Sequence, residues 1–396
     1  MKLEIPAYVT VLMQTLKDNG YECFVVGGAI RSLLLSLPVH DYDLTTNALP
    51  RQMEEVFHDF HTIETGIQHG TITVISDHHP VEITTYRKDS TYKDHRHPDH
   101  VEFTSAIRED CARRDFTINA FCYSDDTGIL DFFHGREDLN ARLIRCIGDP
   151  YRRFEEDALR ILRAVRFAAQ LNFTIEENTS RALLEKKDSL SYVSAERIRE
   201  EFTGYLKASG CAPLFYPYRS VFSVFLPEIR QIPKEEMDVL VHQLHGSVND
   251  ADIRMALLLS TSAFSDPHRI LNRLKYSNAD SRKIQDMIHH KEAPMETRIQ
   301  IRHLLHDLSC DFRDYLHYRQ ALDQRNYIDA WHLYQETQRD HDCYTLKSLA
   351  VSGRDMIALG KKGKAISDTL NTLLNAVMDD QVPNNKEDLI AYAQEL

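Results

Sequence analysis

Two acids in HDYDLTT, Asp41 and Asp43, are the first residues whose type and spacing suggest chemistry. Side chains two apart on a strand project from the same face, so both carboxylates can converge on one cation. Two hard carboxylates completed by substrate phosphates make the ligand set that Mg²⁺ prefers. Metal bound in this way can lower the pKa of an attacking hydroxyl and neutralise a leaving pyrophosphate. Upstream, the apolar run YECFVV ends in Gly27 and Gly28, followed by Arg31. Glycines there let backbone N–H groups approach phosphate oxygens with no Cβ in the way. Taken singly, Gly-Gly is also a plain turn and Asp-Tyr-Asp a solvated loop; their joint spacing is what points to phosphate chemistry. Glu82 in VEITTYR is a third carboxylate that could serve the metal or pair with Arg87.

CARRDFTINAF places Arg113 and Arg114 before an apolar stretch. Guanidinium binds phosphate bidentately and stays charged, which suits a triphosphate. Asp115 beside them could accept from a ribose 2′-hydroxyl, or form a surface ion pair. Further on, FEEDALRILRAVRF carries Glu156, Asp157, Arg160, Arg163 and Arg166. On one continuous helix, Glu156 and Asp157 share a face with Arg160. A carboxylate beside a guanidinium is the complement of a Watson–Crick edge: Asp157 could accept from cytosine N4 or adenine N6 while Arg160 donates to the adjacent ring nitrogen. Uracil and guanine present a carbonyl where the carboxylate needs a donor and would be refused. The same residues could equally form helix-surface salt bridges.

The elements that must hold these groups fall into two textures. To about residue 140 the chain is rich in strand signals: YECFVV, HDYDLTT, GTITVIS and VEITTYR (divided by a polar DHHP turn), VEFTSAI and ILDFF. A helix is expected from Pro6 to Lys17. Between Arg87 and Val101 runs a polar segment, RKDSTYKDHRHPDH, too long for a hairpin turn. From Arg152 onward the apolar spacing is helical, beginning with one long helix over RRFEEDALRILRAVRFAAQL. Gly 14 and Pro 13 in 396 residues make about 7%, against a usual sum near 12%, which also favours helix. The seven cysteines contain no C-x-x-C pair, which excludes a thiolate zinc site or disulfide scaffold and fits a reducing cytoplasm. No apolar run approaches the roughly 18 residues of a membrane span. A net charge of −13 argues against indiscriminate nucleic-acid binding, DNA included, but leaves room for local basic stripes. Arg269, Arg273 and Lys275 form one such stripe, and Arg142, Arg145, Arg152 and Arg153 another.

These blocks and their order, FVVGGAIRS, HDYDLTT, EITTYRKD, CARRDFTINAF, GDPYRRFEEDALRILRAVRF and SAERIREEF, resemble the class II tRNA nucleotidyltransferases. That family comprises the bacterial CCA-adding enzymes and their poly(A) polymerase relatives. The resemblance implies an α/β head of the polymerase-β-like nucleotidyltransferase type, with a small mixed sheet and helices. A mainly α-helical neck, body and tail follow; the boundaries expected here are 1–140, 141–207, 208–298 and 299–396. It implies addition of C, C and A to the 3′ end of tRNA from CTP and ATP, with Mg²⁺ and no nucleic-acid template, in the cytoplasm. By motif, Asp41 and Asp43 bind metal and are catalytic; Gly27, Gly28 and Arg31 lie at the triphosphate. Arg114 contacts the nucleotide and Asp115 its ribose. Glu156, Asp157 and Arg160 select the base, with Arg163 and Arg166 completing the site, while Glu196 and Arg197 buttress the neck. Ser32 stands where the family usually has Asp, with local loss of an ion pair or hydrogen bond expected and activity retained. The polar segment between Arg87 and Val101 favours full CCA addition, since relatives adding only part of the sequence tend to lack or alter it. Addition of A alone, or of poly(A), is the alternative. The basic stripe at Arg269, Arg273 and Lys275 would track the tRNA backbone.

Overall fold

The strand Cys23–Val26 (β1) is apolar and buried at every position, the signature of a strand covered on both faces. The computed structural model describes residues 2–63, 66, 67, 70–89 and 101–396. Within them β1 is joined by Asp43–Thr46 (β2), His61–Ile63 (β3), Thr71–Ser76 (β4) and His79–Thr85 (β5). Arg87–Asp89 (β6) and Val101–Phe103 (β7) form a separate antiparallel ribbon. Residues 90–100, most of the polar segment expected there, lie outside the described residues. Cys122–Ser124 (β8) and Gly128–Leu130 (β9) complete a mixed sheet, among the described residues, in the order β3-β4-β5-β2-β1-β8-β9. β2 runs antiparallel to β1 and parallel to β5. The β4–β5 turn is Asp77-His78, both with positive φ (47° and 64°), as the right-handed twist of a two-residue hairpin demands.

Helices Ala7–Asp18 (α1), Gly28–Leu34 (α2), Pro50–Val56 (α3), Ile107–Ala112 (α4) and Gly135–Ala141 (α5) accompany this sheet. The chain then forms Leu143–Ile144 (β10), Pro150–Glu156 (α6), Leu159–Leu171 (α7) and Thr174–Ile175 (β11). Next come Glu177–Lys186 (α8), Ala195–Leu206 (α9), Cys211–Phe215 (α10) and Arg219–Phe222 (α11). β10 and β11 pair in parallel, Leu143 with Thr174 and Ile144 with Ile175. α7 is buried along Leu162, Val165, Ala168 and Ala169, and it packs on α9.

The expected single helix over 152–171 is two. Asp157 has φ −143° and ψ 104°, an extended conformation that ends α6. Its Oδ1 accepts the N–H of Leu159 at 3.1 Å, satisfying an orphan donor at the start of α7 as short acidic caps do. The apolar spacing survives the break because only two residues separate the helices, so periodicity alone could not reveal it.

The chain divides into two units, 1–230 and 231–396. The second is helical: Lys234–Gly246 (α12), Ala251–Leu259 (α13), Pro267–Arg273 (α14), Asn278–His289 (α15), Arg298–Asp307 (α16) and Phe312–Asp323 (α17). Ile328–Arg339 (α18), Gly353–Ala358 (α19), Lys364–Met378 (α20) and Lys386–Glu395 (α21) follow. α13, ADIRMALLL, is buried at all but one position, as expected of a helix apolar all round. Its Arg254 is satisfied within the α12–α13 turn by Ser247 Oγ (2.9 Å) and Asn249 Oδ1 (2.8 Å). A second cluster gathers Met356, Leu373, Leu374, Met378 and Leu389 beneath α19–α21.

Candidate active site

Asp43 opens β2 where it sits between β1 and β5, opposite Val26 on one side and Glu82 on the other. Asp41 lies just before the strand and is exposed, as Asp43 is. The protein crowding around Asp43 raises its carboxyl above the usual range, and Glu82 and Asp41 push the same way, against Arg114. Among the described residues no three His, Cys, Asp or Glu side chains come together as a metal cage. The donor set nevertheless fits a divalent cation: acids that repel one another and still await positive charge are what an ion finished by substrate phosphates would meet. Glu82, read from sequence as a possible third carboxylate, is therefore Asp43's neighbour across the ladder.

Beside it β1 passes into α2 through Gly27, at φ 68° and ψ −127°. That region is open only to glycine, and a Cβ there would also meet Arg114 Nη1 at 2.9 Å. Gly28 begins α2, with Arg31 Nη2 3.5 Å from where its Cβ would stand. Gly27, Gly28, Arg114 and Arg31 thus share one small space. α4 supplies Arg114 at its C-terminal end, held by Asp110 at 3.4 Å; Asp110 also takes Arg113 at 2.8 Å. Burial alone would raise Asp110, yet Arg113 and Arg114 hold it below the usual carboxylate range.

Arg31 donates to Asn119 Oδ1 at 2.5 Å, and its buried Nε has no partner among the described residues. Burial lowers its guanidinium to about 10, with Arg166 and Arg163 adding to the drop and Asp115 opposing it. It remains charged at neutral pH. Asp115 accepts from Phe116 N (2.8 Å), Asn119 Nδ2 (3.0 Å) and Arg163 Nε (2.8 Å). Against its burial, Arg163 and Asn119 bring Asp115 down to about 2. Arg163 reaches on to Glu201 of α9 at 3.3 Å, and Arg166 donates to the same carboxylate at 2.5 Å. Arg166 lies flat across α9 because residue 204 is glycine; a Cβ there would stand 2.6 Å from Arg166 Cδ.

The residues expected to select the base are arranged differently from the single helix anticipated. Glu156, at the end of α6, takes Arg160 at 2.9 Å and Arg153 at 3.0 Å. Arg160 also donates to the carbonyl of Arg113 at 2.8 Å, which ties α7 to the end of α4. Asp157, turned out by the break, accepts instead from Arg197 of α9 at 2.9 Å. Asp157 and Arg160 therefore do not share a helical face: Asp157 turns to Arg197 of α9 and Arg160 to Glu156 and the Arg113 carbonyl. The segment leading into α6 is tied to the Asp115 loop: Ile147 donates to the carbonyl of Asp115 (3.2 Å) and Thr117 to that of Arg145 (3.0 Å).

Sequence reasoning missed Asn119, Glu201, Asp110 and Gly204. Asn119 and Glu201 stood inside quoted blocks, but their partners are distant in sequence. Scattered cysteines are also brought together: Cys111 and Cys122 sulfurs lie 3.1 Å apart, buried beside Arg114. Arg269 and Arg273 lie on α14 of the second unit, and Lys275 follows at φ 58°. A cavity of about 480 Å³ between α1 and strands β1 and β8, lined by Met13, Lys17, Phe24, Tyr123 and Asp126, includes none of the site residues.

Residues 23–145 match the family described as Poly A polymerase head domain, and 248–393 match a tRNA nucleotidyltransferase domain 2. The CCA-adding enzyme of Lactobacillus helveticus is 35% identical over 97% of this chain and 96% of its own length. That of Levilactobacillus brevis is 34% identical over 96% and 95%. The Bacillus stearothermophilus CCA-adding enzyme, solved in complex with CTP, superposes with a TM-score of 0.81 at 28% identity, covering 99% of this chain and 98% of that one.

Proposed function

This chain belongs to the CCA-adding enzymes, and from that premise we propose how its residues perform the reaction. It adds C, C and A to the 3′ end of tRNA from CTP and ATP, without a nucleic-acid template. The tRNA 3′-hydroxyl attacks the nucleotide's α-phosphate in line, and pyrophosphate leaves. Asp41 and Asp43 hold the divalent cation, which we assign as Mg²⁺; when bound it supplies charge neutralisation at the phosphates and acidifies the attacking hydroxyl. Gly27 and Gly28 admit the triphosphate close to the backbone, and Arg31 and Arg114 carry its charge. Asp115 orients the ribose. Positioned charge in a partly dry site does most of the work.

Selection of the base follows from Asp157. A carboxylate oxygen has two lone pairs, so Oδ2 can keep Arg197 and still accept an amino hydrogen from cytosine or adenine. Arg160, anchored by Glu156 and by the Arg113 carbonyl, donates beside it. The division at 1–140, 141–207, 208–298 and 299–396 is part of the same proposal. So is residence in the cytoplasm; no described helix is long and apolar enough to cross a membrane.

The observation that carries this reading is one connected neighbourhood: Asp43 feels the charge of Arg114, Arg114 lies against Gly27, and Asn119 joins Arg31 to Asp115, which holds Arg163. A tRNA transcript lacking CCA tests it. CTP alone should extend it by two residues, CTP with ATP by three. Extension only of a transcript already ending in CC, and only with ATP, would overturn it in favour of A addition.

A further inference from the structure

Three guanidinium groups converge on one phenyl ring. Arg31 lies 5.0 Å, Arg163 5.2 Å and Arg166 4.1 Å from the centre of Phe167. The ring is buried, at 7% exposure, and Phe116 packs edge-on against it at 6.0 Å. Arg31 comes from the sheet side of the site, while the other two belong to the same helix as the phenylalanine. Their acid partners are Asp115 for Arg163 and Glu201 for Arg163 and Arg166. Among the described residues Arg31 hydrogen-bonds only the neutral Asn119, its Nε has no hydrogen-bond partner, and Asp115 acts on it at longer range without an ion pair. Three cations thus face two carboxylates and one ring. Like charges this close repel unless something with negative potential lies between them, and the face of an aromatic ring supplies that without a net negative charge that would cancel the cations facing the nucleotide.

We propose that Phe167 is a positioning residue of the nucleotide site: its ring holds Arg31, Arg163 and Arg166 together and leaves the surplus positive charge of Arg31 directed at the nucleotide. This rests on the reading of those arginines as nucleotide ligands. A carboxylate at position 167 would satisfy the cations but cancel the charge meant for phosphate. An aliphatic side chain would fill the space and let the cations separate.

The test varies the ring's electrostatics while keeping its shape. Phe167 is replaced by amber suppression with 4-fluoro-, 3,5-difluoro- and 3,4,5-trifluorophenylalanine, and by F167L and F167M, alongside R31Q. KM for CTP, for ATP and for tRNA is measured for each, together with Tm. The expected result is a stepwise rise in KM for both nucleotides with each fluorine. F167L and F167M should reach about five- to thirtyfold, the worth of one cation–ring contact. KM for tRNA and Tm of the fluorinated proteins should hold. Unchanged nucleotide KM across the fluorine series, with R31Q raised at least tenfold, overturns the role of Phe167 alone. An unchanged R31Q overturns the nucleotide-site reading itself. A loss of Tm in F167L without any change in KM assigns the ring to packing only, which also overturns the proposal.

Discussion

Asp157 gains its position from a broken helix, and its two oxygens answer to different partners: one caps α7, the other receives Arg197. On the proposed role of Asp157, Asp157→Ala removes the acceptor that would distinguish an amino group from a carbonyl, so UTP and GTP should enter. Discrimination against them is expected to fall about ten- to a hundredfold, read by competing labelled nucleotides on a tRNA lacking CCA. Asp115 gives a prediction on pH. Its carboxyl is at about 2 in the folded chain against an ordinary 3.8, so the unfolded state binds the proton first as pH falls. The contribution, about 2 kcal/mol, is complete above pH 4 and lost between there and pH 2. Stability of D115N, followed by urea unfolding, should therefore fall less steeply across that window than the parent's. The acids and arginines proposed for the site stood out by type, because phosphate transfer leaves few choices of side chain. Their partners were not. Glu201 meets Arg163 and Arg166 across more than thirty residues, and no local spacing encodes such a meeting.

Elements were legible where they were long and periodic. α1 and strands β1, β2, β4 and β5 lie where the apolar patterns put them, since each must bury one face or two. The two-residue strands β10 and β11 and the three-residue edge strand β3 are too short to show a period, and the Asp157 break hides inside one. Close approach between helices was also invisible, being a matter of what is absent. Gly204→Ala would place a Cβ 2.6 Å from Arg166 Cδ, forcing the guanidinium off Glu201 or α9 away from α7. A loss of about 1–3 kcal/mol is expected, with nucleotide KM raised and Tm lowered in thermal melts; G204A matching its parent in both would show that the contact relaxes freely.

At the scale of the whole molecule the acidic chain must still hold a polyanion. The second unit carries Arg273 at the end of α14 and Lys275 just after it, and a phosphate backbone met there would release counterions. The double variant R273E/K275E should raise KM for tRNA by roughly tenfold at about 0.1 M salt, the gap closing as salt increases, and leave KM for CTP alone. An unchanged tRNA KM would place the acceptor stem elsewhere.

Within the first unit, one modest ladder frames the segment that carries Asp157 and Arg160. The chain departs at Leu143–Ile144 and comes home at Thr174–Ile175, alongside its own point of departure. Residues 145–173 are thus a closed detour with both ends sewn to one seam. A helix tethered in that way can tilt about the seam, whereas sliding along its own axis would tear both rungs together.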